Sequence, residues 1–205
     1  MDTTSAPARR QGRPPTLADA RVRILDEAAS LFARQGYENS SVGDLAAALG
    51  VSKAALYHYF PTKQDIYDSI IVDVLQGLRD EVAAELAGAA GARERLRRFM
   101  LAHARYFERR WAHFVTMLIG FSGMQTAYRA DAARLRDEYE ALLRDIVEQG
   151  IDSGAFRAAD VATTGRAVLS MLNWMARWYK PGSGEGAPAI AEQYFDLIVR
   201  GLESD

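Results

Sequence analysis

The residues best suited to chemistry cluster in one short helical segment, between positions 52 and 59. Lys53 is predicted to begin this helix, where its long cationic side chain could reach a guanine edge or a phosphate of DNA. The methyl groups of Ala54 and Ala55 could contact a thymine methyl group. The competing explanation is a solvated lysine beside two alanines that serve as good helix formers. Whether these residues meet DNA therefore depends on the elements that hold them.

Polar residues at the expected helix starts add a second kind of contact. Ser41 stands three residues before Asp44, which is the pattern of a capping box. The hydroxyl of Ser52 can cap the following helix, and Lys63 begins another one. Backbone N–H groups at helix starts favour a phosphate, so Ser41, Ser52 and Lys63 are predicted contacts to the DNA backbone.

The elements that position these residues are two short helical patterns joined by a tight turn. The first has an apolar side that includes Leu45 and Leu49, and Gly50 suits the left-handed conformation that closes a helix. Val51 and Leu56 have the spacing of a hydrophobic staple, which fixes the angle at which the chain enters the second helix. Two helices held at a steep angle by a short turn containing glycine predict a helix-turn-helix that binds DNA.

This segment resembles the signature of the TetR family of bacterial transcriptional regulators. The matching positions lie within residues 16–67 and include 41, 42, 45, 46, 49–52, 56–60 and 63. The resemblance implies that Tyr57 and His58 bond DNA phosphates, with plain packing as the alternative. Gly43 departs from the family pattern, which often has a longer polar side chain there, so one DNA contact is expected to be missing.

The rest of the chain reads as one helix after another, without an alternating strand pattern. Nine helices are predicted, and the fold class is all-α, with an N-terminal three-helix helix-turn-helix domain followed by a larger C-terminal helical bundle. Residues 1–15 are expected to form a flexible basic arm that could enter the minor groove. Residues 16–62 are expected to bind DNA, and residues 63–205 to bind an effector and dimerise.

The eighth predicted helix, over residues 160–181, is apolar on two sides. One stripe includes Val168 and Leu172, and the other includes Trp174 and Trp178. Because a helix packed only within its own domain needs one apolar face, the second face indicates a further partner, either a subunit or a cavity. In the TetR family the last two helices pair with their copies, so the resemblance implies a homodimer through these helices. We expect the Leu172 stripe at the subunit interface and the Trp174 stripe at the effector.

The C-terminal bundle is predicted to hold a small-molecule effector, because the family's ligand cavity lies there. Aromatic and methionine side chains at helical spacing suit a large and mostly apolar ligand, although a core contains the same residue types. The candidates are Tyr106, Phe107, Trp111, Phe114, Met117, Phe121, Met124, Tyr128, Met171, Trp174 and Trp178.

A second resemblance bears on the class of the ligand. Several C-terminal residues are similar to a signature of TetR-type regulators that include sensors of coenzyme A thioesters: Asn173, Trp174, Trp178, Tyr179, Pro181, Gly182, Ile190 and Ala191. The phosphates of an acyl-coenzyme A would need cations, and a group of arginines could supply them. The alternative, which we favour, is that these arginines form a solvated face. They are Arg97, Arg98, Arg105, Arg109 and Arg110.

Composition and charge limit the other function classes. The 205-residue chain has no cysteine, and its three histidines lack the four-residue spacing of a metal pair, so no cofactor, metal or catalysis is predicted. No apolar run approaches the ~20 residues of a membrane helix, so we expect a cytoplasmic protein without a membrane partner. The net charge is −2, but residues 1–63 hold eight Lys and Arg against six Asp and Glu, a mild basic bias at the predicted DNA surface.

These observations predict a ligand-responsive, DNA-binding transcriptional regulator. We expect a repressor that a small, mostly apolar effector releases from a pseudo-palindromic operator. Two other classes remain open at this point: a small-molecule-binding protein or enzyme that retains a helix-turn-helix, and a DNA-binding protein without an effector. Binding to duplex DNA tests the first alternative, and a thermal-shift screen of small molecules tests the second.

Overall fold

The computed structural model describes residues 17–120, 124–182 and 184–202, so the predicted arm lies outside the described residues. Within these ranges no residue lies in a strand, and the predicted all-α class is confirmed. No helix in the same ranges is both long and apolar enough to cross a membrane. The helices are α1 (Leu17–Gln35), α2 (Val42–Leu49), α3 (Lys53–Tyr59), α4 (Lys63–Leu86), α5 (Ala92–Arg109), α6 (Trp111–Gly120), α7 (Thr126–Asp152), α8 (Val161–Trp174) and α9 (Ala187–Leu202).

The first three helices share a small apolar core. Ile24 and Leu31 of α1, Leu45 of α2 and Leu56 of α3 are at most 5% exposed. Helices α2 and α3 have only 8 and 7 residues, which is too short for a helix to be stable alone in water. Their packing and their caps therefore hold them in place.

Helix α4 is the central helix of the protein. The Thr62 hydroxyl caps it by accepting a hydrogen bond from the N–H of Asp65 at 3.0 Å. Its 24 residues give a length of about 36 Å. Ile70, Ile71 and Val74 are fully buried, and the helix packs against α1, α5, α6 and α7. A displacement of α4 would therefore reach both the N-terminal helices and the C-terminal bundle.

Helix α5 lies in the middle of the C-terminal bundle, packed against α4, α7 and α9. Its apolar side contributes to a cluster of aromatic rings. Phe107 meets Phe114 of α6 edge-on at 5.2 Å between ring centres, and Phe99 stacks on Tyr139 of α7 at 5.1 Å. This aromatic core fills part of the space in which the sequence predicted an effector cavity.

Helix α8 is shorter than predicted. The sequence pattern ran to the Pro-Gly pair, but the helix ends at Trp174 and a 3₁₀ turn follows at Met175–Arg177. The chain turns here because Tyr179 is held against α5 and α6. Its hydroxyl hydrogen-bonds the carboxylate of Glu108, and its carbonyl accepts a hydrogen bond from Nε1 of Trp111 at 3.3 Å. These long-range contacts replace the last helical turn.

The two apolar stripes of α8 differ in their exposure. Val168 and Leu172, which we assigned to a subunit interface, are at most 1% exposed within the single chain, so they pack in its own core. That assignment was wrong because periodicity reveals two apolar faces without showing which one meets the core of the same chain. Trp174 and Trp178, which we assigned to the effector, are 62% and 49% exposed, and their role stays a prediction.

Candidate nucleic-acid interface and ligand cleft

The capping box predicted at the start of α2 is formed. The hydroxyl of Ser41 accepts a hydrogen bond from the N–H of Asp44 at 3.1 Å, and the Asp44 carboxylate accepts one from the N–H of Ser41 at 2.9 Å. The hydrogen bonds from Ser41 lower the pKa of Asp44, so its charge stays at the positive end of the helix dipole. Gly50 closes α2 with a φ angle of 68°. Both ends of α2 are therefore capped, and Gly50 begins the turn that leads into α3.

Helix α3 turns one side to solvent and the other to the core. Leu56 is 1% exposed and anchors the helix, while the Ser52 hydroxyl caps it by accepting a hydrogen bond from the N–H of Ala55 at 3.2 Å. Ala55 also borders a shallow apolar groove against α1. The exposed residues include all the predicted contacts on this helix: Lys53, Ala54, Ala55, Tyr57 and His58. Their contacts to DNA remain predictions.

Gly43 on α2 makes room for Lys53. A Cβ atom added at Gly43 would lie 2.8 Å from Cε and 3.1 Å from Nζ of Lys53. The lysine side chain therefore runs across the first turn of α2. The missing side chain at position 43, which we interpreted as a lost DNA contact, leaves space for the residue expected to read DNA.

Lys63 has structural partners that its position in the sequence did not reveal. Its ammonium group donates hydrogen bonds to the carbonyls of Tyr37 at 2.7 Å and Ser40 at 2.8 Å, and it lies 4.0 Å from the centre of the Tyr37 ring. These contacts hold the loop between α1 and α2 on the first turn of α4. The phosphate contact predicted at Lys63 relied on backbone N–H groups at the start of α4 and not on the ammonium group, and it stays a prediction.

Arg21 on α1 is a neighbour of α3 that the sequence analysis missed. Its Nη1 donates a hydrogen bond to the Tyr59 carbonyl at 2.9 Å, and its guanidinium lies 4.2 Å from the centre of the Phe60 ring. A cation at this end of a helix complements the helix dipole. No local pattern signals the contact, because the bonded residues are 38 positions apart.

A charged network joins α1, α4 and α6. Arg110, between α5 and α6, donates hydrogen bonds to Asp26 of α1 at 3.1 Å and to Asp73 of α4 at 2.6 Å. Nε2 of His113 lies 3.0 Å from the same Asp26 carboxylate. Burial, followed by the charge of Arg110, lowers the pKa of His113, and Asp26 opposes that shift. The network links the N-terminal helices to the bundle.

The arginines considered as a phosphate-binding cluster all have carboxylate partners. The pairs are Arg97 with Glu192, Arg98 with Glu94, Arg105 with Glu85, Arg109 with Glu81, and Arg110 with Asp26 and Asp73. The Arg98 pair joins two turns of α5. The other pairs join α5, or Arg110 just after it, to α1, α4 and α9. These arginines form an ion-paired face in contact with solvent, and whether they also meet a phosphate stays a prediction.

The predicted effector residues do not converge on one cavity. Phe107 and Phe114 are fully buried in the aromatic core, and Met124 is 2% exposed. Tyr106 borders a separate cleft between α1, α4 and α5. Phe121 lies outside the described residues. The other candidates apart from Met117 are half-buried or exposed: Trp111, Tyr128, Met171, Trp174 and Trp178.

A largely apolar cleft of about 180 Å³ lies between α4, α6, α7 and α8. Its lining consists of Leu75, Leu78, Met117, Leu118, Arg136, Tyr139, Glu140, Leu169 and Asn173. Met117 is the effector candidate that the structure places here. Sequence reasoning missed Leu75, Leu78 and Tyr139 because their spacing is that of ordinary core residues.

A more polar groove of about 210 Å³ continues from this cleft between α7 and α8. The two share the lining residues Glu140, Leu169 and Asn173. The groove adds Arg144 and Arg166 to the Arg136 of the cleft. Arg136 and Arg144 both pair with Glu140, and Arg166 donates a hydrogen bond to the Thr163 hydroxyl. An apolar cleft that opens onto guanidinium groups suits an amphiphile with an apolar chain and an anionic head.

Comparison with known families covers both parts of the chain. Residues 24–70 match the family model described as "Bacterial regulatory proteins, tetR family", and residues 89–202 match the one described as "Tetracyclin repressor-like, C-terminal domain". The HTH-type transcriptional repressor KstR2 of Mycolicibacterium smegmatis is 28% identical over 191 residues, which cover 92% of this chain and 93% of KstR2.

Two solved structures are similar over most of the chain. The TetR family transcriptional regulator PfmR from Thermus thermophilus is 51% identical with a TM-score of 0.84, covering 89% of this chain and 100% of PfmR. AibR in complex with isovaleryl coenzyme A and operator DNA is 25% identical with a TM-score of 0.77, covering 86% of this chain and 96% of AibR. The similarity is therefore not confined to the helix-turn-helix.

Proposed function

Because the chain belongs to the TetR family and is a ligand-responsive, DNA-binding transcriptional regulator rather than an enzyme, we propose that it represses transcription as a homodimer bound to a pseudo-palindromic operator. The observation that carries this proposal is the exposed side of α3, where Lys53, Ala54 and Tyr57 lie on a helix whose other side is buried. In this proposal residues 16–62 read DNA, and residues 63–205 bind the effector and dimerise.

Base reading and phosphate binding are divided between the ends of α3. Lys53 at its first turn reaches a base edge, and the Ala54 methyl contacts a thymine. Tyr57 and His58, one turn later, bond phosphates, and the backbone N–H groups at the start of α2, beside Ser41, bind another. The phosphate contacts position the helix, while the base contacts select the sequence.

The homodimer forms through the exposed faces of α8 and α9. Trp174, Trp178 and Leu197 are large apolar side chains that are 62%, 49% and 64% exposed in the single chain. Large apolar groups exposed in one region favour burial against a partner. A two-fold dimer presents two α3 helices to half-sites about 34 Å apart, one turn of DNA.

The effector is a coenzyme A thioester with a short acyl chain. The chain enters the cleft of about 180 Å³, and the phosphates meet Arg136, Arg144 and Arg166 along the groove. The structure of AibR with isovaleryl coenzyme A supports this ligand class. Leu75 and Leu78 of α4 line the cleft, so an acyl chain displaces α4 and changes the spacing of the two α3 helices. Both reading helices then cannot dock together, and the operator is released.

Selection from a random duplex library, followed by fluorescence anisotropy, tests the proposal. We expect the selected sequences to contain two inverted half-sites and to bind a dimer. Isovaleryl coenzyme A should raise the Kd for this DNA about tenfold, whereas free coenzyme A should not. The Arg166→Gln variant should need more ligand for release, and Arg98→Gln, which lies outside the cleft and groove, should behave as wild type. Release by none of a series of acyl-coenzyme A thioesters would contradict the ligand class.

A further inference from the structure

A histidine and a tyrosine form an isolated polar pair inside the bundle. His103 of α5 is 0% exposed, and its Nδ1 lies 2.7 Å from the hydroxyl oxygen of Tyr139 of α7. Nε2 of His103 has no hydrogen-bonding partner among the described residues. Phe114 packs edge-on against the imidazole with ring centres 5.3 Å apart, and Phe99 stacks on the Tyr139 ring. An aromatic side chain therefore packs on each ring of the pair.

Both members of the pair are uncharged near neutral pH. Burial lowers the pKa of His103 to about 3 and raises the pKa of Tyr139 well above its usual value. A neutral imidazole has one N–H and one acceptor nitrogen. If the tyrosine hydroxyl donates to Nδ1, the only unpaired group is the N–H at Nε2. If Nδ1 donates instead, both the tyrosine O–H and Nε2 lack a partner in the described part of the chain. The first arrangement therefore describes the empty protein.

Tyr139 connects this pair to the cleft between α4, α6, α7 and α8, because it lines that cleft. The other polar lining residues, Arg136, Glu140 and Asn173, are exposed or half-buried, whereas Tyr139 is 5% exposed. Tyr139 is thus the buried polar residue of the cleft lining, and His103 is its hydrogen-bonding partner outside that lining. A ligand oxygen that accepts a hydrogen bond from the Tyr139 hydroxyl would add one hydrogen bond in the cleft while His103 still bonds the tyrosine oxygen.

We propose that the His103–Tyr139 pair recognises a carbonyl oxygen of the effector. The inference rests on the proposed function, because it concerns the same cleft. The Tyr139 hydroxyl donates its hydrogen bond to the ligand carbonyl, and His103 takes up the other tautomer and donates from Nδ1 to the tyrosine oxygen. No net proton is gained or lost. The proton that leaves Nε2 is matched by the one gained at Nδ1, so Nε2 changes from a donor to an acceptor.

Two ligands that differ only in the carbonyl group test this proposal. Isovaleryl coenzyme A has a thioester carbonyl, and the thioether S-(3-methylbutyl) coenzyme A has a CH₂ group in its place. The full-length wild-type protein should bind the thioester about five- to tenfold more tightly in calorimetry, the ratio that one neutral hydrogen bond produces. Tyr139→Phe retains the ring that stacks on Phe99 and should bring the ratio close to one.

The matched control is Tyr37→Phe. The Tyr37 hydroxyl donates a hydrogen bond to Gln64 at 2.7 Å, and the residue does not line the cleft, so this variant should keep the wild-type ratio. A second measurement needs no variant. The ¹⁵N NMR spectrum of His103 should show the proton on Nε2 in the empty protein and on Nδ1 in the thioester complex.

The outcomes separate this inference from the proposed function. Equal affinity of the wild-type protein for the two ligands, with operator release by both, overturns the role of the pair and leaves the proposed ligand site intact. An unchanged His103 tautomer in the complex also overturns it. Failure of both ligands to bind overturns the proposed ligand class and this inference together.

Discussion

At the scale of single residues, the proposed DNA-facing surface depends on small side chains as well as on charged ones. Gly43 leaves space for the Lys53 side chain, and Ala54, the next residue of α3, has only a methyl group as its side chain. Lys63 differs from Lys53 because its ammonium group is bonded to two backbone carbonyls. The exposed Lys53 is therefore the lysine whose loss should affect DNA binding most directly.

The Lys53→Ala variant should lose operator affinity without losing stability. If Lys53 donates two hydrogen bonds to a guanine, the expected loss is about 1–3 kcal/mol per half-site. The fold should be unaffected because alanine is a good helix former. Anisotropy titrations measure the affinity, with Lys180→Ala, far from α3 in the chain, as the matched control. Wild-type affinity in the Lys53 variant would show that this lysine only faces solvent.

At the scale of elements, α4 and the turn between α5 and α6 join the DNA-reading helices to the bundle. Arg110 bonds Asp26 of α1 and Asp73 of α4, and His113 of α6 lies beside the same Asp26. Tyr106, close to this network, packs so tightly on α4 that a Cβ atom at Gly77 would lie 2.5 Å from its hydroxyl oxygen. A shift of α4 would therefore also change the contacts of α1.

The Arg110→Gln variant should change how stability depends on pH. The pKa of His113 is lowered in the folded protein, so below about pH 6.5 the unfolded chain takes up this proton more readily and the folded state loses stability. Removing the nearby Arg110 charge should raise the pKa of His113 and reduce that loss. Urea unfolding between about pH 7 and pH 5 measures the slope, and NMR titration follows the His113 ring.

Arg109→Gln is the matched control for this variant. Arg109 is the preceding residue and pairs with Glu81, so its removal should leave the His113 pKa and the pH slope close to wild type. If both variants change the slope equally, the effect comes from the overall charge of α5 and not from the network around Asp26.

Local signals in the sequence were sufficient for most helix boundaries and insufficient for the contacts between helices. Ser41, Ser52 and Thr62 cap three helices as their positions suggest. The end of α8 was misjudged because Tyr179 bonds Glu108, 71 positions away. The lining of the cleft was not predicted for the same reason: four helices bring it together, and each contributes residues with ordinary core spacing.

At the scale of the whole molecule, the single chain leaves one set of large apolar side chains uncovered at its C-terminal end. Trp174 is the last residue of α8, Trp178 follows the 3₁₀ turn, and Leu197 is exposed on α9. Leu172, on the same helix as Trp174, is fully buried and supports the core instead. One face of α8 therefore belongs to the core of the chain, and the other is the face proposed to associate two chains.

Charged substitutions on these two faces should have opposite consequences. Leu172→Arg buries an unpaired charge in the core at a cost of several kcal/mol, so we expect loss of cooperative unfolding and of helical signal. Trp174→Arg places its charge at the proposed interface, so each chain should stay folded while sedimentation shows a monomer with weakened binding to a palindromic operator. Val22→Arg, at an exposed apolar residue of α1, should remain a dimer. If the Trp174 variant is a dimer and the Leu172 variant is a folded monomer, the interface lies on the stripe that contains Leu172 and not on the one that contains Trp174.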